Sequence, residues 1–296
     1  MALIDISQEQ FDHYCHSLPH HSFIQTPEMA KLLSKRGAKT RFIGLEKEGD
    51  LKVAAMIFSQ KVAGGWRMEL NAGPNTNFPE YLEDFYSQLK NYAKEHQVIE
   101  CIVKPYDIYQ SFDATGKPTN QANSKLIDLL TKLGYQHDGL KTGYPDGEPV
   151  WHYLKSLEGM NSQDVIKTFS KTGKLHTKRA EKFGIQISQL SRDELKVFKH
   201  LTASTSDRQA FDDKSLDYYQ DFYDAFGETA AFMVARLNFK SYLESLQPEK
   251  DKLDAQITRL QETIQTNPDN LKKQKELDAK QVQYQSLVQK LSLIHI

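Results

Sequence analysis

Residues 41–58, RFIGLEKEGDLKVAAMIF, carry the plainest fold signal in this chain of 296 residues. Two apolar runs flank Glu48-Gly49-Asp50, and a glycine between such runs favours a tight hairpin turn. The surrounding pattern predicts helices at 27–36, 79–95 and 124–133, and strands at 66–71, 98–103 and near 149–154, of which 98–103 is the best candidate for a buried strand. This order predicts an α/β domain with a central twisted sheet.

Residues 156–240 predict a second, smaller lobe. Its elements are a helix, a short strand at 185–187, helices at 192–205 and 215–226, and a strand at 230–237. The order of helix, helix and strand echoes residues 8–47, which hints at a duplicated fold.

Residues 249–291 contain no glycine, tryptophan or phenylalanine. The apolar positions of the first half step by four, three and four residues, and those of the second half lie on one side of a helix; they are Leu253, Ile257, Leu260, Ile264, Leu277, Tyr284, Leu287 or Val288, and Leu291. Asn267-Pro268-Asp269-Asn270 interrupts the pattern. We interpret it as an antiparallel helical hairpin, with a coiled-coil dimer segment as the alternative.

The composition excludes several classes of protein. Lys and Arg number 38 against 39 Asp and Glu, so the net charge of −1 excludes a histone-like basic binder but not a local basic surface. No apolar run reaches eighteen residues, and the acidic start lacks the apolar core of a secretory signal. Cys15 and Cys101 lie far apart, which fits a reduced cytosolic setting.

Several motifs of catalysis are missing from the sequence. It contains no GxGxxG after a strand, no GxxxxGK[ST], no HExxH and no GxSxG, and its histidines do not cluster at metal-binding spacing. The Gly-rich turn that binds the pyrophosphate of acetyl-CoA is missing too. An acyltransferase with this sequence would therefore take its acyl group from another kind of donor.

A basic stripe is the most informative chemical feature. Placed on one helix, residues 162–183 bring Lys167, Lys171, Lys174, Lys178 and Lys182 within about 80° of arc over an apolar back. A division of the helix in two at Gly173 is the alternative, and it would weaken the stripe. Such a surface favours contact with a polyanion, most naturally a nucleic-acid backbone. The alternative is a solvated face that only keeps the helix soluble.

A second group of residues combines Arg208 with Tyr218 and Tyr219 on the next predicted helix. An arginine fork can bind phosphate or carboxylate, and a tyrosine hydroxyl could complete the site. The alternative is a capping arginine beside two half-buried tyrosines. Lys31 and Lys104 are single cations at the ends of predicted elements, with plain surface residues as the alternative for each.

These segments together resemble the FemA/FemB/FemX (FemABX) aminoacyltransferases. KTGKLHTKRAEKFGIQI at 171–187 is similar to a basic helix followed by the family's K-x-A-x-K-x-G-[IV], and QTPEMAKLL at 25–33 resembles its early Q…W.K element, with Met29 at the aromatic position and Lys31 at the lysine. Residues 202–237 resemble a further family block through Arg208, Phe211, Tyr218, Tyr219, Phe226, Gly227 and Ala235. The resemblance covers essentially the whole chain and is closest to the MurM/MurN type.

The resemblance implies two acetyltransferase-like lobes, at 1–155 and 156–240, with a helical arm at 241–291. It also implies a cytoplasmic, monomeric enzyme without a cofactor or metal. Such an enzyme moves an amino acid (alanine or serine, with glycine possible) from aminoacyl-tRNA to the stem-peptide lysine of a peptidoglycan precursor, forming the interpeptide bridge. The acceptor is a lipid-linked or UDP-linked muramyl pentapeptide, and a lipid-linked one would bring peripheral contact with the inner face of the membrane.

The resemblance also assigns residues. Lys31, Arg208 and Tyr218 are the implied anchors of the acceptor diphosphate, and the implied tRNA-binding residues are Lys167, Lys171, Lys174, Lys178, Arg179 and Lys182. Some relatives place an Asp, considered as a base, where this chain has Lys104. The catalytic proton acceptor therefore stays unassigned, with substrate phosphate, the tRNA ribose or a water as alternatives.

The apolar residues 292–296 break the polar texture of the arm, and we interpret them as a non-native tail on a truncated gene product that leaves the second lobe incomplete. Two rival functions stay open on the sequence alone. One is a non-catalytic tRNA-binding or coiled-coil interaction protein, and the other is an acyltransferase that uses a different donor.

Overall fold

A computed structural model describes residues 1–143 and 149–294. Contacts divide the chain into two compact units: Met1–Tyr153 with Arg192–Ala230, and Leu154–Ser191 with Ala231–Ile296. Each unit is therefore built from two separate stretches of chain. Within the described ranges, no helix is both long and apolar enough to cross a membrane.

The elements follow one another along the chain in a mixed α/β order. The strands are β1 Ala2–Asp5, β2 Lys39–Lys47, β3 Asp50–Val62, β4 Gly65–Asn71, β5 Val98–Lys104, β6 Gln186–Gln189 and β7 Met233–Arg236. The helices are α1 Gln8–His16, α2 Pro27–Lys35, α3 Leu82–Glu95, α4 Lys125–Lys132, α5 Ser162–Lys167, α6 Lys171–Lys182, α7 Leu195–Gln209, α8 Leu216–Phe226, α9 Phe239–Thr266 and α10 Leu271–Ile294.

The first unit contains a five-stranded sheet in the order β1-β2-β3-β4-β5. Neighbouring strands are antiparallel except β4 and β5, which are parallel and joined through α3. The predicted hairpin is confirmed: Lys47 pairs with Asp50, and Glu48 and Gly49 between them both adopt positive φ, of 55° and 85°. That conformation is the reason for a glycine at this turn.

The central strand β3 is buried on both faces, which explains its continuous apolar run. Val53, Ala55 and Ile57 face a core built with α3, while Ala54 and Met56 face a core built with α1 and α2. Because successive side chains of a strand point to opposite faces, both sets must be apolar.

Two expectations for the first unit are wrong. Strand β5 is not the buried strand of the sheet but lies at its edge, and Ile99 is 59% exposed. Residues 149–154 form no strand. Pro149 lacks a backbone donor for a ladder, and Trp151 packs against Phe112 in an irregular segment instead, with ring centroids 4.8 Å apart.

The second unit contains α5, α6, the antiparallel pair β6–β7, and the hairpin of α9 and α10. The predicted seam of the hairpin is confirmed by burial of Leu253, Leu260, Leu277 and Leu287, with Tyr284 packed beside them. Leu287, rather than Val288, occupies the seam.

The acetyltransferase-like lobes with boundaries at 155 and 240 stay a prediction. The predicted non-native tail at 292–296 falls on residues whose side chains lie outside the described part of the chain, and it stays a prediction as well.

Candidate functional site

Helix α2 carries the first predicted anchor, Lys31. The helix begins at Pro27, where the Thr26 hydroxyl accepts a hydrogen bond from Met29 N at 3.2 Å. Ala30 and Leu32 are buried, so the intervening Lys31 points outward. Lys31 and Lys35, one helical turn apart, are both exposed, so α2 has an apolar face for the sheet and a cationic face for α8.

Three cations of α2 and its C-cap contact α8, all within the first unit. Lys31 Nζ donates to the Asp224 carbonyl at 3.2 Å, and Lys35 Nζ lies 2.7 Å from Asp221 Oδ1. Arg36 Nη2 donates to the Tyr218 carbonyl at 3.4 Å. Its guanidinium carbon lies 4.0 Å from the centroid of the Tyr218 ring. We call this set of contacts the α2–α8 seam.

The carboxylates of the seam form ion pairs with some of the nearby cations and not with others. Arg192 binds Asp224 with two hydrogen bonds, of 2.5 and 2.9 Å, which hold the pKa of Asp224 below its ordinary value. The hydrogen bond from Lys35 to Asp221 raises the pKa of Lys35. Among the described residues, by contrast, the partners of Lys31 and Arg36 across the seam are backbone carbonyls and, for Arg36, the Tyr218 ring. Their charge is available to an anion.

Lys31 and Tyr218 both lie at this seam, whereas Arg208 lies elsewhere in the first unit. Arg208 lies in the last turn of α7 and lines an open depression with His200, Ser204 and Asp207. Among the described residues it shares no hydrogen bond or ion pair with Lys31 or Tyr218. Its assignment as an anchor stays a prediction.

The loop between α7 and α8 is fixed by Asp213, which sequence reasoning missed. Lys199 donates to Asp213 Oδ2, and Tyr219 OH donates to Oδ1 at 3.1 Å. These bonds hold the pKa of the Asp213 carboxyl below its ordinary value, with the hydrogen bond from Lys199 as the largest cause. Ser215 then caps α8 by accepting from Tyr218 N at 3.1 Å, which sets the start of the helix that carries Tyr218.

Gln25, the first residue of the QTPEMAKLL element, has a structural role that the sequence did not indicate. Its side chain is fully buried, donates to the carbonyls of Met56 at 3.0 Å and Asn71 at 2.6 Å, and accepts from Met56 N at 2.8 Å. The amide therefore bridges β3 and β4 immediately before α2. A glutamine followed by a capping threonine and a proline was the available signal.

Lys104 is the last residue of β5 and pairs in register with Asn71, the last residue of β4. The Ala72 amide donates to the Lys104 carbonyl at 2.8 Å, which continues the pairing past the end of β4. The carboxyl ends of these two parallel strands lie side by side, and open α/β sheets commonly bind ligands just beyond the carboxyl ends of their strands. The catalytic role considered for position 104 stays a prediction.

The predicted single helix at 162–183 is wrong. Residues 168–170 separate α5 from α6, because the Ser170 hydroxyl accepts from Gly173 N at 3.0 Å and starts a new helix. Thr168 turns its own hydroxyl back to the Val165 carbonyl. The break therefore falls before Gly173, and the five-lysine stripe is divided between two helices.

The division changes the environment of the predicted tRNA-binding residues. Lys167 on α5 pairs with Asp164 at 2.9 Å, and Lys182 pairs with Glu249 of α9 at 3.2 Å. The cations that remain without an ion pair within the described ranges all lie on α6; they are Lys171, Lys174, Lys178 and Arg179. We call these four residues the α6 basic face.

Comparison with known proteins places this fold and these elements in one family. The model of the FemAB family matches residues 6–295. Aminoacyltransferase FemA of Staphylococcus aureus (strain MRSA252) is 26% identical over 302 residues, which cover 98% of this chain and 71% of FemA; FemA of the strain bovine RF122 / ET3-1 gives the same identity and coverage.

A crystal structure of FemX matches the whole of this chain and 73% of its own, with a TM-score of 0.67 and 19% sequence identity. This likeness confirms the predicted α/β fold with its helical arm. The chain therefore belongs to the FemAB family of aminoacyltransferases.

Proposed function

We propose that this enzyme moves an amino acid from aminoacyl-tRNA to the side-chain amine of the stem-peptide lysine in a peptidoglycan precursor, building the interpeptide bridge. The observation that carries the proposal is the α2–α8 seam. There Lys31 and Arg36 bind backbone carbonyls and Arg36 also lies over the Tyr218 ring, while the neighbouring cations Lys35 and Arg192 are paired with Asp221 and Asp224. Two free cations and an aromatic ring suit a diphosphate joined to a sugar.

The α6 basic face supports the choice of donor. Its four cations lie on one short helix without a carboxylate partner in the described part of the chain, as a surface for a nucleic-acid backbone requires. Alanine or serine is the amino acid proposed, with glycine as the alternative. The proposed acceptor is a lipid-linked or UDP-linked muramyl pentapeptide. If the acceptor is lipid-linked, this enzyme, proposed to be cytoplasmic, would bind it at the inner face of the membrane.

The mechanism follows from the bond that is broken. An aminoacyl ester is already activated, so a neutral amine can attack it directly once both are positioned, and no covalent enzyme intermediate is needed. The enzyme must hold the amine near the ester carbonyl, take up one proton and stabilise the developing oxyanion.

The test uses the 296-residue protein with alanyl-, seryl- and glycyl-tRNA. Each is offered a muramyl pentapeptide with lysine at position three, as the UDP-linked and the lipid-linked form. We expect transfer to the lysine side chain, detected by mass spectrometry, and none to a matched pentapeptide whose lysine amine is acetylated. Absence of transfer, with uncharged tRNA bound as tightly as charged tRNA, would favour the non-catalytic tRNA-binding protein.

The anchors have their own test. Lys31→Ala should raise the KM for the pentapeptide and leave the affinity for tRNA unchanged, because Lys31 is proposed to bind the acceptor only. Arg208→Ala, assayed in parallel, tests whether the depression on α7 belongs to the same site.

A further inference from the structure

Lys214 is a cation at the α2–α8 seam that the proposed site does not use. It lies in the loop between α7 and α8, and its Nζ is 5.5 Å from the centroid of the Tyr218 ring. The guanidinium carbon of Arg36 lies 4.0 Å from the same centroid. Lys214 and Arg36 are both exposed, and Tyr218 is half-buried. Two cations that solvent can reach therefore lie over one ring of the seam.

The place of Lys214 is set by its two neighbours in the chain. On one side, the Asp213 carboxyl accepts hydrogen bonds from Lys199 of α7 and Tyr219 of α8, which tie the loop to both helices. On the other side, the Ser215 hydroxyl caps the first turn of α8. Because both neighbours are held, the backbone at Lys214 is fixed and its side chain begins beside the seam.

Lys214 and Arg36 have no ion pair within residues 1–143 and 149–294. Asp221 of α8 pairs with Lys35 instead, and Asp217, exposed in the first turn of α8, forms no ion pair with a described residue. The face of an aromatic ring attracts an exposed cation only weakly, and like charges near one another repel. An anion bound between the two cations would relieve this repulsion.

We propose that Lys214 is a third anchor of the acceptor diphosphate, which it binds together with Arg36 beside the Tyr218 ring, in addition to Lys31. This inference rests on the proposed function. A diphosphate carries non-bridging oxygens on both phosphorus atoms, so it can accept hydrogen bonds from several donors at once. An arginine fork binds two such oxygens side by side, and a lysine ammonium group adds a compact point charge.

The direct test measures binding of inorganic pyrophosphate to the 296-residue protein by isothermal titration calorimetry. Lys214→Gln removes the charge and should weaken pyrophosphate binding by about 10-fold or more, because a charge-assisted hydrogen bond to the anion is lost. Lys214→Arg keeps the charge and should bind pyrophosphate nearly as tightly as the wild type. An unchanged dissociation constant for Lys214→Gln would overturn the proposal.

Lys39→Gln is the matched control. Lys39 is also an exposed lysine over an aromatic ring of the first unit, with its Nζ 4.1 Å from the centroid of the Trp66 ring, but it lies away from the seam. Its substitution should leave the affinity for pyrophosphate unchanged. If Lys39→Gln weakens binding as much as Lys214→Gln does, the effect belongs to overall charge and the proposal fails.

Thermal stability separates an anchor from a lysine with a structural role. Without ligand, Lys214→Gln removes a repulsion from Arg36, so it should melt at the temperature of the wild type or slightly higher. Added pyrophosphate should raise the melting temperature of the wild type more than that of the variant, because a tighter ligand stabilises the folded state more. A smaller gain supports the anchor whatever the starting temperature, and an equal gain overturns it.

The transfer assay tests the same residue with the whole acceptor. Lys214→Gln should raise the KM for the pentapeptide by about 10-fold or more with kcat nearly unchanged, because the diphosphate lies far from the reacting amine. The affinity for tRNA should not change. Both the UDP-linked and the lipid-linked pentapeptide contain the diphosphate, so the acceptor whose KM rises identifies its source.

The two proposals can fail separately. If the wild type transfers and Lys214→Gln keeps both its pyrophosphate affinity and its KM, Lys214 is not an anchor and the proposed function stands. If the wild type binds pyrophosphate through Lys214 but transfers nothing, the anion-binding role of Lys214 stands and the proposed function falls. If the wild type neither binds pyrophosphate nor transfers, both fall.

Discussion

At the scale of single residues, contacts decide what each of three neighbouring cations can do. Lys31, Lys35 and Arg36 lie within six positions of one another, yet only Lys35 meets a carboxylate across the α2–α8 seam. The hydrogen bond from Lys35 to Asp221 raises the pKa of Lys35 and commits its charge to holding α8. Lys31 and Arg36 keep their charge for a ligand, although all three residues are cations of one helix end.

Arg36→Ala tests this distinction. A hydrogen bond to a charged group is worth about 1.5–3 kcal/mol, so the loss of the proposed contact between Arg36 and the acceptor diphosphate should raise the KM for the pentapeptide by about 10- to 150-fold with kcat nearly unchanged. Arg36→Lys should lie between the two, because an ammonium group cannot stack flat on the ring.

Lys39→Ala is the control for Arg36→Ala. Lys39 lies 4.1 Å from the centroid of the Trp66 ring, so it is another cation over an aromatic face in the same unit, away from the seam. Steady-state kinetics of both variants should separate them. Equal KM values for the two would remove Arg36 from the site.

A second residue-scale prediction concerns alkaline pH. Burial, helped by the hydrogen bond from its hydroxyl to Asp5 at 2.8 Å, raises the pKa of Tyr92 to about 12. The unfolded chain releases this proton near about pH 10, so folding retains it in that window. The contribution of Tyr92 to the free energy of unfolding should therefore be constant up to about pH 10 and be lost as the pH rises towards about 12, which removes about 2–3 kcal/mol.

Tyr92→Phe isolates the contribution of this phenol. The variant loses a hydrogen bond, so at pH 8 it should be about 1 kcal/mol less stable than the wild type, and the difference should shrink by about pH 11. Urea denaturation at both pH values gives the measurement. Tyr106→Phe, at a position 63% exposed, should follow the wild type, and a constant gap for Tyr92→Phe would contradict the assignment.

At the scale of elements, the break between α5 and α6 concentrates the free charge on α6. Reversing Lys171, Lys174 and Lys178 to glutamate should reduce the slope of log affinity for tRNA against log salt by about one for each phosphate that the variant no longer neutralises. The control reverses three exposed lysines of the first unit, Lys61, Lys94 and Lys125. An unchanged slope in the α6 variant would leave only the solvated-face interpretation.

The hairpin offers a matched pair of adjacent residues on α10. Leu287 is 6% exposed in the seam with α9, whereas Val288 next to it is 38% exposed. Leu287→Ala should lower the free energy of unfolding by about 2–4 kcal/mol, and Val288→Ala by less than about 1 kcal/mol. Urea denaturation monitored by helical circular dichroism checks both values, and equal effects would contradict the seam.

At the scale of the whole molecule, the sequence was most informative where the signal was local. The hairpin at 48–49, the seam of α9 and α10, and the helices α2 and α4 follow from periodicity and turn residues. The edge position of β5 could not be predicted, because a run of apolar residues fits a strand that is covered on both faces and equally a strand that is covered on one face. A break in this region was an alternative on the sequence, but at Gly173. The Ser170 cap that starts α6 was missed because it interrupts an otherwise continuous helical pattern.

The candidate site was predictable only in part, for a related reason. Lys31 and Tyr218 were singled out from the sequence, and they lie together at the α2–α8 seam. Arg36 and Asp213 were not, and Gln25 was noted only as the first residue of QTPEMAKLL. The importance of these residues arises from partners 31 to 182 residues away or from a loop without periodicity. Such contacts become visible only once the fold is known.

Dividing the chain into compact units leads to a prediction about fragments. A fragment of residues 1–155 contains α2 but lacks α8, so Lys35 has no Asp221 to pair with and the seam is exposed. A fragment of residues 1–230 retains both helices and should resist urea and limited proteolysis better. Equal resistance would support the lobe boundary predicted at 155.

The discontinuity of the second unit also sets the order in which it can form during synthesis. Strand β6 ends at Gln189, and its partner β7 begins at Met233, about 44 residues later. At about 5–20 residues per second, a ribosome needs several seconds to supply β7. During that interval β6 leaves the exit tunnel without its partner strand, while α7 and α8 emerge and can already complete the first unit. Pauses in translation between these positions would lengthen the exposure of β6.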